Sequence, residues 1–315
     1  MHIVTGAAGF VGSNLVRVLN ERGVRQILAV DDLSQGDKFR NLRDCEIVDY
    51  MDRAEFREFI RRGTPGLQAD SLLHQGACAD TTEADGRYMM DNNFTYSKEL
   101  LRWALEHRVP FVYASSASVY GLARQCTETP DHEGPLNVYA YSKLLFDNYV
   151  RRLMPQITST VAGLRYFNVY GPREGHKGRM ASMVWQLYHQ LKTMGVARLF
   201  EGTDGYAAGE QRRDFVFVGD AVDVNLYFAF GHPRQGIFNV GTGTSRAFND
   251  ITRIVIDLLG RGEIQYIPFP ESLQGKYQSF TESDITRLRT VGYDRAALSL
   301  EEGIRRLIEQ SEQET

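Results

Sequence analysis

The sequence predicts an α/β fold: a doubly wound parallel sheet with a second, smaller α/β domain. Three observations lead there. Short β-branched runs alternate with longer amphipathic stretches through the first 165 residues, the pattern of βαβ units covered on both faces. A glycine-rich turn directly follows the first such run and opens a helix. After Asn168 the rhythm loosens, and no repeat or Pro/Ser-rich linker separates the two halves.

Taken in order, His2–Thr5 reads as a strand and Phe10–Arg22 as a helix. Gln26–Asp31 and Cys45–Val48 read as strands, then Arg53–Arg62 as a helix and Ser71–His74 as a strand. Asp85–His107 reads as one long helix, Phe111–Ser115 as a strand, Val138–Leu153 as a helix and Ser159–Phe167 as a strand. Beyond them, Met180–Met194, Val222–Phe230, Asp250–Leu259 and Leu300–Gln310 have helical patterning. Ala197–Phe200, Ile237–Val240 and Ile264–Ile267 are short strands, and Thr203–Gly209 is a Gly-rich loop.

Composition narrows the function classes. With 36 Lys and Arg against 40 Asp and Glu, the net charge of −4 lacks the basic balance of a nucleic-acid binder. Arg61-Arg62, Arg151-Arg152 and Arg212-Arg213 are isolated pairs among acids. No apolar run approaches the roughly 18 to 20 residues that span a bilayer. Met1–Gly6 has neither a basic n-region nor an apolar h-region, so no signal peptide is expected. Cys45, Cys78 and Cys126 are too scattered for a disulfide framework or a zinc site. The expectation is a cytoplasmic protein with free thiols, no metal, no nucleic acid and no membrane partner.

Gly6, Gly9 and Gly12 form a GxxGxxG spacing between strand and helix. Glycines there permit the tight turn and close backbone approach, and a pyrophosphate sits on the helix N-terminus, with Phe10 and Val11 in its first turn. Asp31 ends the second strand 19 residues past Gly12, where a carboxylate accepts from a ribose hydroxyl. This is a Rossmann dinucleotide site. Asp31 and Asp32 favour NAD, whereas Lys38 and Arg53 would neutralise the 2′-phosphate of NADP. Local chemistry leaves the two cofactors balanced. The expected boundaries are a cofactor domain over 1–170, rejoined by segments around 210–245, and a mainly substrate-binding domain over 171–315.

Ser115–Gly121 ends a strand at the ligand edge, and Tyr139-Ala140-Tyr141-Ser142-Lys143 opens a helix. Tyr139 and Lys143, four apart, share one helix face. A tyrosine base at pH 7 needs its pKa of about 10 lowered by roughly 3 units, or about 4 kcal/mol. The Lys143 ammonium, the positive charge of a nicotinamide and a bond from Ser116 are the expected sources. Tyr141 lies two residues on and has no lysine at the matching position.

These residues resemble the extended short-chain dehydrogenase/reductase family, the NAD-dependent epimerases and dehydratases, with its TGxxGxxG, serine and YxxxK pattern. His74-Gln75-Gly76-Ala77, running on to Cys78 and Ala79, is similar to that family's cofactor-contacting loop. Asn92 matches its helix asparagine. Met90–Asn93, Arg165–Gly178, Arg213–Val216 and Tyr266–Pro270 are similar to the branch that acts on an ADP-linked heptose, and the likeness runs along the whole chain. Ala7 and Arg53 depart from the usual Gly and Lys, and the stretch between Thr203 and Arg213 is a few residues long. The resemblance implies epimerisation at C6 of that nucleotide sugar through a 6-keto intermediate, with bound NADP and homo-oligomeric assembly, pentamers included.

It also implies two acid/base groups, Tyr139 and Lys177, with Val169 and Lys177 beside the cofactor. A lysine needs burial or nearby cations for its pKa to fall toward neutrality, and Arg173, His176 and Arg179 flank Lys177 and could supply the cations. The substrate contacts implied are Asn168, Arg179, Gln186, Phe200, Glu201, Gly202, Thr203, Arg213 and Tyr277. Arg213 suits a diphosphate oxygen. Ser118-Val119 stands where dehydratases carry an acidic pair, which disfavours dehydration. A UDP-hexose 4-epimerase is the competing enzyme reading, and an NADP-sensing regulator the non-enzyme one.

Overall fold

All four residues of His2–Thr5 are buried, because a parallel strand between two others has helices on both faces. The computed structural model describes residues 1–64, 66–275 and 277–313. In chain order the elements are β1 His2–Thr5, α1 Phe10–Glu21, β2 Ile27–Asp31, β3 Asp49–Asp52, α2 Arg53–Arg61, β4 Ser71–His74, α3 Gly86–Met90, α4 Tyr96–Glu106, β5 Phe111–Ser116, α5 Val138–Leu153 and β6 Val161–Tyr166. They continue as β7 Asn168–Tyr170, α6 Met183–Met194, β8 Val196–Phe200, β9 Arg212–Phe217, α7 Val218–Phe230, β10 Gln235–Val240, β11 Ser245–Ala247, α8 Phe248–Leu259, β12 Glu263–Ile267, α9 Thr286–Thr290 and α10 Leu300–Gln313.

The chain divides into two compact units. The first comprises residues 1–119, 135–166 and 221–238; the second comprises 120–134, 167–220 and 239 onward. Sheet membership explains why these limits differ from 1–170 and 210–245. β6 is the last strand that the first sheet takes before the chain leaves it, whereas β7 and β9 belong to a different sheet. Residues 120–134 join the second unit, where Asn239 accepts from the Tyr120 hydroxyl and donates to the Cys126 carbonyl.

In the first unit the sheet order is β10-β6-β5-β4-β1-β2-β3. β1 pairs in parallel with β2 on one side and β4 on the other, so successive crossovers diverge at β1. Ligands bind outside the strand ends at such a switch point. Thr5, Asp31, His74 and Ser116 stand at those ends. Beneath them Leu100, Leu101, Trp103, Phe111, Phe146 and Val161 share one apolar core with Phe56 and Ile60 of α2.

Two expectations are corrected. The third strand is Asp49–Asp52, not Cys45–Val48; pairing with Leu28–Asp31 imposes extended backbone on a polar run of weak strand propensity. The helix read as Asp85–His107 is α3 and α4 joined by one π-turn at Asp91–Thr95. Such bulges mark functional positions.

In the second unit β9 is central, antiparallel to β11 and parallel to β7. β8 and β12 form a separate parallel pair. Asp214 of β9 accepts from the amides of Thr242, Gly243 and Ser283, pinning the strand to two loops.

The phosphate turn tolerates no side chain at Gly12, where an added Cβ would lie 2.0 Å from the Gly6 carbonyl oxygen. Gly12→Ala is expected to lower the unfolding free energy by about 1–3 kcal/mol and to weaken dinucleotide binding. Gly134→Ala, with nothing within 4 Å of the new carbon, serves as the control and should change neither. Denaturant titration with and without cofactor checks both.

Candidate active site

The turn after β1 is built for an anion. No side chain caps α1 and no acid lies in its first turn, so its dipole faces the turn unopposed. The Gly9 amide donates to the Gly6 carbonyl at 2.9 Å. The Ala8 amide donates to Asp31 Oδ2 at 2.7 Å, tying the turn to the end of β2. Lys38 is ion-paired with Asp31 and also donates to the Asp32 carbonyl at 3.0 Å. Arg53 bonds Asn92 and lies 3.5 Å from Asp32. Bonds from Ser34 hold the Asp32 carboxyl below its usual range. A dinucleotide fits these residues: Gly6 approaches Gly76 so closely that a Cβ would sit 2.6 Å from its nitrogen, leaving bare backbone around the turn.

The loop after β4 shows what single motifs hide. The Gln75 side chain is held in a closed ring: it donates to Asn225 and accepts from the Tyr166 hydroxyl, to which Asn225 donates. The ring fixes the Gln75 side chain, with one N–H and one carbonyl position already used. Gly76 donates its amide to Thr5 Oγ1. Ala77 is half-buried and Ala79 exposed. Cys78 is clamped by Asn93, which accepts from its amide at 2.8 Å and donates to its carbonyl at 2.9 Å. Asn93, in the π-turn, also donates to Ser142 of α5. Sequence reasoning chose its neighbour Asn92; the full burial of Asn93 is a tertiary property with no local signature.

His74 joins these parts. The Ser97 hydroxyl donates to the Asn93 carbonyl, so it accepts from His74 Nε2 at 2.8 Å, and His74 Nδ1 in turn accepts from Thr5 at 2.6 Å. Burial, helped by the Lys143 charge, lowers His74 to about 3, so it is neutral.

Asn137 caps α5 by accepting from the Ala140 amide, which fixes the turn carrying Tyr139. Burial raises the pKa of the Tyr139 phenol, and the nearby Ser116 hydroxyl pulls it down. Lys143 was expected to act directly on Tyr139; instead its ammonium donates to the Ala114 carbonyl at 2.8 Å. Burial lowers Lys143 to about 8, against Asp147 and Cys78, which raise it. Asp147, one turn further along α5, is wholly buried and accepts from Tyr113, Ser115 and Arg165.

The second unit holds the remaining positions. Asn168 donates to the Asp214 carbonyl at 3.1 Å, so its amide braces β7 against β9. Val169, next on β7, is half-buried. Lys177 lies in a 3₁₀ turn, Gly175–Met180, before α6. Of the two expected causes it is burial that lowers its pKa, opposed by Glu174. Gln186 turns back onto the same segment, donating to the carbonyls of Arg179 and Ala181. Arg213 is buried, with its guanidinium 4.9 Å from the centre of the Tyr277 ring. Tyr277 meets Phe200 and Phe269 edge-on, so Phe269 joins a ring cluster that sequence reasoning had entered with two members. Glu201, Gly202 and Thr203 follow Phe200, and Gln211 donates to the Glu201 carbonyl at 3.0 Å.

Residues 2–241 match the NAD dependent epimerase/dehydratase family. The chain belongs to that family. It is 53% identical over 310 residues to the ADP-L-glycero-D-manno-heptose-6-epimerase of Alkalilimnicola ehrlichii, covering 98% of this chain and 97% of the relative. The structure of the Helicobacter pylori enzyme of the same name superposes with a TM-score of 0.84 at 32% identity, covering 98% of this chain and 94% of that one. A Thermus thermophilus UDP-glucose 4-epimerase in complex with NAD gives 0.79 at 26% identity, covering 98% of both.

Burial of Lys143 has a cost in stability. Lys143 has a folded pKa of about 8 against 10.5 in the open chain, so its charge opposes folding fully below pH 8 and less as pH rises toward 10.5. Lys143→Met should therefore raise stability at pH 7 by up to about 3 kcal/mol while abolishing turnover. The gain should shrink above pH 8. Denaturant titrations at pH 7 and pH 10 check the sign.

Proposed function

We propose that this protein epimerises ADP-D-glycero-β-D-manno-heptose at C6″ to ADP-L-glycero-β-D-manno-heptose through a 6-keto intermediate, supplying the heptose precursor of the lipopolysaccharide inner core. One observation carries the reading: α5 carries Tyr139 one turn before Lys143, and Lys143 donates to the Ala114 carbonyl of β5, a strand of the sheet whose β1 leads into the turn shaped for a dinucleotide. The relatives named above direct that chemistry to a heptose C6.

A nicotinamide cofactor held at the glycine turn would supply the hydride acceptor and donor for C6 and a ring charge favouring tyrosinate. The protein's part is proton transfer and orientation. Ser116 holds the C6 oxygen while Tyr139 removes its proton. Lys143, one turn beyond Tyr139 on α5, is fixed on the Ala114 carbonyl. With the ketone turned to its second placement, Lys177 gives the proton to the oxygen. Arg213 and Arg179 hold diphosphate oxygens, and Phe200, Tyr277 and the segment Glu201–Thr203 hold the nucleotide. Asn168 and Gln186 shape their surroundings through the backbone bonds described above.

The cofactor we assign is NADP, with Lys38 and Arg53 answering its 2′-phosphate. The first unit is then the NADP-binding domain, and the second mainly the substrate domain. Homo-oligomeric, pentameric assembly is carried over from the family resemblance, and a cytoplasmic location from the three free cysteines. Replacing both Lys38 and Arg53 with Ala should weaken NADP relative to NAD by about 10- to 150-fold, the value of a charge-assisted bond. Competition binding checks this, and an unchanged preference rejects the assignment.

Tyr139→Phe and Lys177→Met should each slow epimerisation of ADP-heptose by roughly 10²–10⁴-fold, without adding in the double variant, because either block stops the sequence. An analogue with an aldehyde at C6 separates the half-steps. Its disproportionation to acid and alcohol needs a single acid/base placement, so each variant should retain more of that activity. Epimerisation by Lys177→Met at the wild-type rate would leave Tyr139 acting alone.

A further inference from the structure

We infer that Glu174 is a positioning residue for Lys177, fixing its loop and sustaining its charge. The inference rests on the proposed acid/base role of Lys177. Glu174 is wholly buried. Its Oε1 accepts from the Gly171 amide at 3.2 Å and from the Ser182 hydroxyl at 2.8 Å, and its Oε2 accepts from the Ser182 amide at 2.6 Å. Ser182 caps α6 by accepting from the Trp185 amide at 3.1 Å. The Glu174 carbonyl accepts from the Lys177 amide at 3.0 Å. One residue thus ties the start of the loop, its end, the following helix and the backbone of Lys177.

A brace alone would not need a charge. Burying a carboxylate is costly unless it is hydrogen-bonded and paired. Between Gly171 and Ser182, Glu174 is the only acid, among Arg173, His176, Lys177 and Arg179. Burial pushes Glu174 up and Lys177 down, and each is the resolved charge that opposes the shift of the other. From the neighbouring α6, Trp185 packs on Gly175, and the titratable His189 lies against Trp185 at 3.8 Å. From β7 the titratable side chain is Tyr170. Neither adds a second carboxylate.

Competitive labelling of the Lys177 amine with trace acetic anhydride across pH, read by mass spectrometry, reports its titration without turnover. In Glu174→Gln the Lys177 midpoint should fall, and kcat for ADP-heptose should drop roughly tenfold or more, with a smaller change in KM. Ser182→Ala removes a donor and keeps the charge, so it should lower stability and leave the midpoint in place. Glu174→Asp keeps the charge, should hold the midpoint above that of Glu174→Gln, and stands in for it if that variant does not fold. An unchanged midpoint in Glu174→Gln overturns the inference, as does an equal fall in Ser182→Ala or a full fall in Glu174→Asp. If Lys177→Met epimerises normally, the catalytic reading fails instead, and the labelling shift alone still reports the hold of Glu174 on Lys177.

Discussion

A buried chain of neutral hydrogen bonds through His74 is the constraint on which the first unit depends. It begins at the Gly76 amide, passes through Thr5 at the end of β1, and reaches Ser97 and Asn93. From Asn93 it divides to the Cys78 loop and to Ser142 of α5. The phosphate turn and the helix bearing Tyr139 and Lys143 are therefore registered against each other. The chain works because His74 carries no charge: a cation there would need a counter-ion and would repel Lys143. It also accounts for the π-turn, since the extra residue places Asn93 rather than its neighbour against Cys78.

Two lysines whose pKa burial lowers each have a buried carboxylate in the chain nearby. Asp147 sits one turn beyond Lys143, and Glu174 three residues before Lys177. Burial favours the neutral amine in both places, and the carboxylate resists it. The anchors differ. Asp147 is held by the Arg165 guanidinium at 2.9 Å and by two hydroxyls; Glu174 is held by two backbone amides and one hydroxyl. A helix can fix a carboxylate through side chains of the sheet beneath it. A loop must use its own backbone, so the Glu174 arrangement also shapes the segment it serves.

Much of this was legible in the sequence, for a physical reason. The glycine turn, Asp31 and the Tyr139–Lys143 spacing are local: each depends on a few consecutive residues or one helical turn. The parallel sheet was legible because strands buried on both faces read as apolar runs. What could not be read arises from tertiary pairing. Asp49–Asp52 is a strand only because β2 lies beside it. The Gln75 side chain is bonded to Asn225, 150 residues away. Asn93 and Asn92 are indistinguishable as letters, and only packing selects between them. The role of Glu174 has no local signature, because a carboxylate among four basic or titratable neighbours reads as a surface ion pair until its burial is known.

The central claim is that one carbon is oxidised and re-reduced with its hydrogen kept on the enzyme. The direct measurement is turnover of ADP-D-glycero-β-D-manno-heptose by the purified protein in deuterium oxide, with the product examined by NMR and mass spectrometry. The mechanism predicts an inverted C6″ that retains the hydrogen of the substrate, with no carbon-bound deuterium and no free reduced cofactor. Deuterium at C6″ would show removal and return of a proton on carbon, and would contradict hydride transfer at this site.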